Sequence, residues 1–268
     1  MLQMSSAMKG FAIGANDGTI GTIADFLFDQ TTWTVRWLVI DTGGWLSGRK
    51  VLLQPSAVDH IDLDRREIVV GLTRKQVEDS PDSSQHRPVS QQMQNDLYSY
   101  YGWNPMWGGG LFGAGMYGGA LYGDGLLSGG LGAVGLPSHA LSHADPHGDA
   151  GDLAVEHGDP KLRSIAEVTN YHVHASDGSI GHVEHALLDL PSWSIRYFVV
   201  DTSNWWLGKH VLISPFAIRE IDWSDRSIRL DVSRAAVKAS PPWNPEDVID
   251  TAFERQLHDY YGWPGYRW

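Results

Sequence analysis

Apolar residues in this chain come in short runs broken by turn residues, the pattern of strands rather than of long helices. Read from the N-terminus, the runs predict strands at Phe11–Ala15, Ile20–Phe28, Trp33–Thr42, Lys50–Leu53, Val58–Asp62 and Glu67–Val70. Asn16-Asp17-Gly18 separates the first two as a hairpin signal, because Asp-Gly supplies the positive φ of a tight turn. In the third run, alternation places Trp33, Val35, Trp37 and Val39 on one face and Leu38 and Ile40 on the other. A strand apolar on both faces needs a core on one side and a cover on the other.

The whole pattern then recurs 160 residues later without a gap. Asp17-Gly18-Thr19-Ile20-Gly21 returns as Asp177-Gly178-Ser179-Ile180-Gly181, and Trp33–Thr42 returns as Trp193–Thr202. Over 9–81 against 169–241, 26 of 73 positions are identical, so the second copy keeps the apolar and turn positions that a fold requires. Both copies continue into helices. Thr73-Arg74-Lys75-Gln76 reads as a capping box, with Ser233 at the matching position, and Ser80-Pro81 and Ser240-Pro241 stop these short segments. Asn244-Pro245-Glu246-Asp247 predicts an N-cap, a proline at the first helical position and acids in the first turn. A stripe of Val248, Ala252, Leu257 and Tyr261 answers Val89, Met93, Leu97 and Tyr101. Each copy ends on Tyr-Tyr-Gly-Trp, at Tyr100–Trp103 and Tyr260–Trp263, read either as a helix-terminating contact or as a partner-docking feature.

The order strand, Asp-Gly-x-Ile-Gly, long strand ending in Val-x-Asp-Thr, then Gly-x-x-Val-Leu and Pro-x-Ala resembles the PRC-barrel family. In copy one the pattern rests on Asp17, Gly18, Gly21, Arg36, Val39, Asp41, Gly48, Val51, Leu52, Pro55 and Ala57. In copy two it rests on the residues 160 further on, from Asp177 to Ala217. The resemblance implies a mainly β chain of two small antiparallel PRC-type β-barrels, each followed by one or two short helices and joined by a Gly-rich flexible linker. The divisions are 7–80, barrel one; 88–103, helix and aromatic end; 104–162, Gly/His-rich linker; 163–240, barrel two; and 244–263, C-terminal helix. It also implies a non-enzymatic bacterial interaction or assembly module, with the barrels paired within one chain or between chains. An alternative makes the protein an accessory resembling the reaction-centre H chain at a photosynthetic or electron-transfer membrane complex.

Composition narrows the function classes. A formal charge of −12 without a cluster of Lys and Arg argues against nucleic acid as a partner. Zero cysteines remove disulfides and Cys-ligated zinc and fit a reducing compartment. No leader-like N-terminus and no apolar run long enough to span a bilayer are visible, so the location expected is cytoplasmic, or peripheral to the inner membrane through a partner.

Between the copies, 13 of the 28 residues from Gly108 to Gly135 are glycine. This segment reads as a flexible tether, with a self-associating low-complexity segment or a membrane-inserting hairpin as alternatives. His139, His143 and His147 have the spacing of one helical face, but Pro146 and Gly148 oppose a helix, so no metal and no cofactor are expected. No nucleophile, base or phosphate-cradle pattern stands out. Asp17–Gly21 lacks a P-loop lysine and reads as a hairpin, and Asp41 and Asp201 read as turn-bonding residues. The candidate interaction surface comprises Arg36, Trp45, Arg196, Trp205 and Trp206. The arginines meet a carboxylate, lay their stems over the barrel, or form an interface ion pair; the loop tryptophans are core lids or interface anchors.

Overall fold

The computed structural model of the chain describes residues 1–81, 89–105, 159–202 and 210–266. The tether expectations for 106–158, histidines included, and those for Trp205 and Trp206 lie outside the described residues.

The N-terminal half opens with β1 (Leu2–Met4) and a single helical turn, α1 (Ser5–Met8). Six strands follow: β2 (Ala12–Ala15), β3 (Gly18–Asp29), β4 (Thr34–Asp41), β5 (Lys50–Leu53), β6 (Val58–Asp62) and β7 (Glu67–Val70). Helices α2 (Arg74–Glu78) and α3 (Gln91–Tyr101) complete it. The C-terminal half repeats this as β8 (Leu162–Ser164), α4 (Ile165–Val168), β9 (His172–Ala175), β10 (Gly178–Asp189), β11 (Ser194–Asp201), β12 (His210–Ile213), β13 (Ile218–Asp222), β14 (Ser227–Leu230), α5 (Arg234–Ala239) and α6 (Thr251–Tyr261). The six strands expected per copy are present. Asp-Gly forms the predicted hairpin, with Ala15 opposite Gly18. Thr73 and Gln76 form the predicted capping box, and Asp17 and Asp177 each accept the first backbone N–H of the following short helix at 2.7 Å.

Three expectations need correction. The sheet is mixed, because β2 pairs with β7 and β9 with β14 in parallel. Tight turns enforce antiparallel neighbours, but the pairing of a first strand with a last one is tertiary and has no local signal. The strand path is also open, running β13-β14-β9-β10-β11-β4-β3-β2-β7-β6 across both halves. Finally, the C-terminal helix begins at Thr251, capped by Asp250, well after Asn244. Asp247 accepts from the Asn244 backbone N–H and donates its own N–H back to Asn244 O, closing a turn. Trp243 bridges to His210 and holds the approach extended. Val248, placed in the apolar stripe, is 88% exposed; the buried face is Glu254, Leu257 and His258.

The long strand also departs from simple alternation. Leu27 lies opposite Trp37 and Phe28 opposite Val35, so Arg36 is an extra residue in a β-bulge; Arg196 occupies the same bulge opposite Leu187 and Leu188. The bulge switches faces in mid-strand. Val35, Leu38 and Ile40 enter the main core, while Trp37 and Val39 turn outward beneath α3. Trp33 precedes the strand in left-handed conformation, φ 57°. The outer cover that the doubly apolar strand demanded is thus the helix of its own half.

The halves join by reciprocal exchange. β1 pairs with β10 of the C-terminal half and β8 with β3 of the N-terminal half. Between them β4 and β11 meet at Thr34 and Ser194, where Val35 N–H donates to Trp193 O at 2.8 Å and Ile195 N–H to Trp33 O at 2.7 Å. One core cluster runs through both halves, Trp33 packing edge-on against Phe198 at 5.7 Å between ring centres.

Candidate interaction site

The two bulged arginines sit at equivalent places and do different chemistry. Arg36 donates to the Tyr98 hydroxyl at 2.9 Å and to the carbonyl of Pro105 at 2.6 Å, which ties the last turn of α3 and the segment after it to β4. Beside it, Trp37 Nε1 donates to Gln94 Oε1 at 3.1 Å, and Gln94 Nε2 donates to Asp159 Oδ2 at 2.9 Å. Trp37 and Tyr98 stack at 5.2 Å. No carboxylate meets Arg36 in these bonds.

In the C-terminal half the same positions carry charge. Arg196 donates to both oxygens of Glu254 at 2.9 and 3.1 Å and to Asp189 at 3.3 Å, and its guanidinium lies 4.5 Å from the centre of the Tyr266 ring. Tyr197 lies 3.2 Å from Glu254 Oε1 and 2.9 Å from His258 Nε2, while His258 Nδ1 is 2.7 Å from Pro264 O. A carbonyl only accepts, so Nδ1 carries a proton, and the single hydroxyl proton of Tyr197 serves one neighbour at a time, Glu254 Oε1 or the bare Nε2 of the neutral ring. Burial lowers the His258 pKa from its ordinary value and raises those of Tyr197 and Tyr266. For Asp189 burial works the other way, but the Ser192 hydroxyl and Arg196 outweigh it and hold the carboxyl below its usual range. Burial likewise opposes the charge on Arg196, and Glu254 and Asp189 reverse that effect. A guanidinium taken from water needs such paired carboxylates.

Both arginines therefore bind the helices of their own halves. Trp45 is partly buried and packs on the main core together with Leu46, beneath the Arg74 guanidinium 4.4 Å from its ring. The Tyr-Tyr-Gly-Trp ends are helix terminators. Gly102 and Gly262 take φ of 67° and 70°, and Trp103 and Trp263 fold back to stack on Tyr101 and Tyr261 at 4.0 and 4.1 Å. Asp41 does accept from Gly43 N–H at 2.9 Å, the turn role expected of it.

Sequence reasoning missed the feature that remains open. A cavity of about 360 Å³ lies on the seam of the halves, floored by Leu27, Val39, Leu52, Val89 and Leu162. Asp25, Lys50, Asp159, Ser164 and Glu167 line the rest of it. Asp25 accepts from the backbone N–H groups of Phe26 and Ala166 and from the Ser164 hydroxyl, binding β3 to α4 across the seam. Only the exchange of β8 onto β3 brings these residues together, so nothing local could have signalled them. Among the described residues no group of His, Asp and Glu is arranged to hold a metal, and no helix is long and apolar enough to cross a membrane.

Residues 9–77 match the PRC-barrel domain family. A 90-residue stretch is 32% identical to an uncharacterised protein of Deinococcus radiodurans, covering 34% of this chain and 32% of that protein. The match thus spans about a third of the length of that curated relative.

Proposed function

From a chain whose residues 9–77 form a PRC-barrel domain, we propose a non-enzymatic assembly module in which this domain is paired with its own repeat into one two-lobed scaffold that binds a protein partner. The observation that carries the reading is the reciprocal exchange of β1 and β8. Each exchange covers, within the molecule, backbone of the other half that a barrel standing alone would leave unpaired. Among the described residues, the titratable cluster of Arg196, Glu254 and His258 with Tyr197 is packed under α6 and committed to holding that helix, which favours scaffold over catalyst. We place the protein in the cytoplasm, reaching a membrane only through its partner.

The test is an affinity pull-down of the tagged full-length chain from its native host, with fractionation of the same lysate. One protein recovered in fixed stoichiometry from the soluble fraction supports the module. Recovery of the bait alone, or from membranes alone, overturns it. The internal pairing is checked separately by cleaving at a protease site placed between residues 106 and 158. Halves that still elute together at micromolar concentration support it, and halves that separate refute it.

A further inference from the structure

We propose that the seam cavity binds a small amphipathic cation, an aliphatic body carrying an ammonium group. The inference stands independently of the assembly reading. Its volume of about 360 Å³ is at the small end of ligand pockets, and its floor is five aliphatic side chains. Three carboxylates, Asp25, Asp159 and Glu167, line it against one ammonium, Lys50, and although Asp25 and Asp159 accept hydrogen bonds from their neighbours, the net charge of the lining is negative and favours an added positive charge. Its chemistry is that of a site with an apolar floor and an acidic rim.

The pseudo-symmetry of the chain supplies the comparison. At the equivalent positions of the other half, Met4 stands for Ser164, Ile249 for Val89, and His185 and His210 for Asp25 and Lys50. There Leu2, Met4, Ile249 and Phe253 pack onto Leu187, Tyr197, Val199 and Leu212. Larger side chains thus cover the strands at one of two equivalent places, while Ser164 and Val89 leave space over β3, β4 and β5 at the other. The repeat also dictates the cavity-filling variants: Ser164→Met and Val89→Ile copy residues that this fold already accommodates.

The experiment titrates the full chain with three probes that share a six-carbon tail, hexyltrimethylammonium, hexyl sulfate and hexanol, by isothermal calorimetry. The cation is expected to bind about tenfold more tightly than the anion, with the alcohol between them. Glu167→Gln should weaken the cation about threefold and leave the alcohol unchanged, because Glu167 contributes charge. Ser164→Met should remove binding of all three; should it fail to fold, Val89→Ile must weaken all three. The proposal is overturned if no probe binds, if the heads bind alike, if the sulfate binds best, or if the filling variants bind as the parent does.

Discussion

Trp33 gives the sharpest test of the seam. Its side chain is 9% exposed, stacks on Phe28 at 5.6 Å and meets Phe198 of the other half edge-on at 5.7 Å. Truncating it to alanine removes both contacts and leaves a hole between the halves, at a cost of about 3–5 kcal/mol. With roughly 2–4 °C lost per kcal/mol for a chain of this size class, the melting temperature should fall by about 10 °C. The backbone adds a second signature. At φ 57° a residue with a Cβ carries strain of about 1–2 kcal/mol. Glycine releases that strain, against roughly 0.4–1 kcal/mol of extra freedom in the unfolded chain. Trp33→Gly should therefore be as stable as Trp33→Ala, or up to about 1.6 kcal/mol more stable, the reverse of the order inside a strand. Equilibrium urea unfolding of the full chain, followed by circular dichroism, reads both values, with Val248→Ala, 88% exposed, as a control expected within about 0.5 kcal/mol of the parent. A Trp33→Ala variant with an unshifted midpoint would falsify the packing argument, and a glycine variant clearly below the alanine one would refute the strain.

Gly178 and Gly181 share φ values of 148° and 149°, but a Cβ at Gly181 would lie 1.8 Å from the Asp201 carbonyl oxygen and one at Gly178 would meet only the flexible Arg234 chain at 3.2 Å. Gly181→Ala should thus cost about 2 kcal/mol more than Gly178→Ala in thermal unfolding, and equal losses would show that φ alone matters. Glu254→Gln removes the main counter-charge of a half-buried guanidinium and should cost about 2 kcal/mol or more, measured by denaturation; a neutral result would show the pair to be dispensable. The folded pKa of His258 lies below its ordinary value because burial disfavours the charged ring. The folded state therefore gains from the neutral form above pH about 6.5, and this gain is lost as the pH falls through the folded value. Tryptophan emission from the α6 region should report weaker helix docking as the pH falls below about 6.5, and His258→Gln should flatten that dependence; an unchanged slope removes His258 from the account. In more acid solution, protonation of Asp189 should add its own loss, because its carboxyl titrates below the usual range.

Much of the architecture is written locally. Asp17-Gly18 and Asp177-Gly178 make their hairpins because the turn needs positive φ at the glycine. Thr73 with Gln76 builds its cap from residues three apart. The doubly apolar β4 announced a cover on its outer face, and Met93 and Leu97 of α3 supply it. The same local reasoning failed at Asn244–Asp247, where acceptable capping residues close a turn because the bridge between Trp243 and His210 fixes the preceding backbone. It failed again at Arg36 and Arg196, since a bulge depends on the register of two strands and alternation assumes there is none.

Sequence by itself thus determined the longer strands, the hairpins, the caps at Thr73 and Ser233 and the 160-residue repeat, all of which rest on residues a few positions apart or on an internal copy. Tertiary structure alone decided the parallel closure of β2 on β7, the exchange of β1 and β8, and the seam cavity. Three-residue strands carry too little pattern to be seen, and Asp25 and Ser164 are brought together only when two copies of the fold meet.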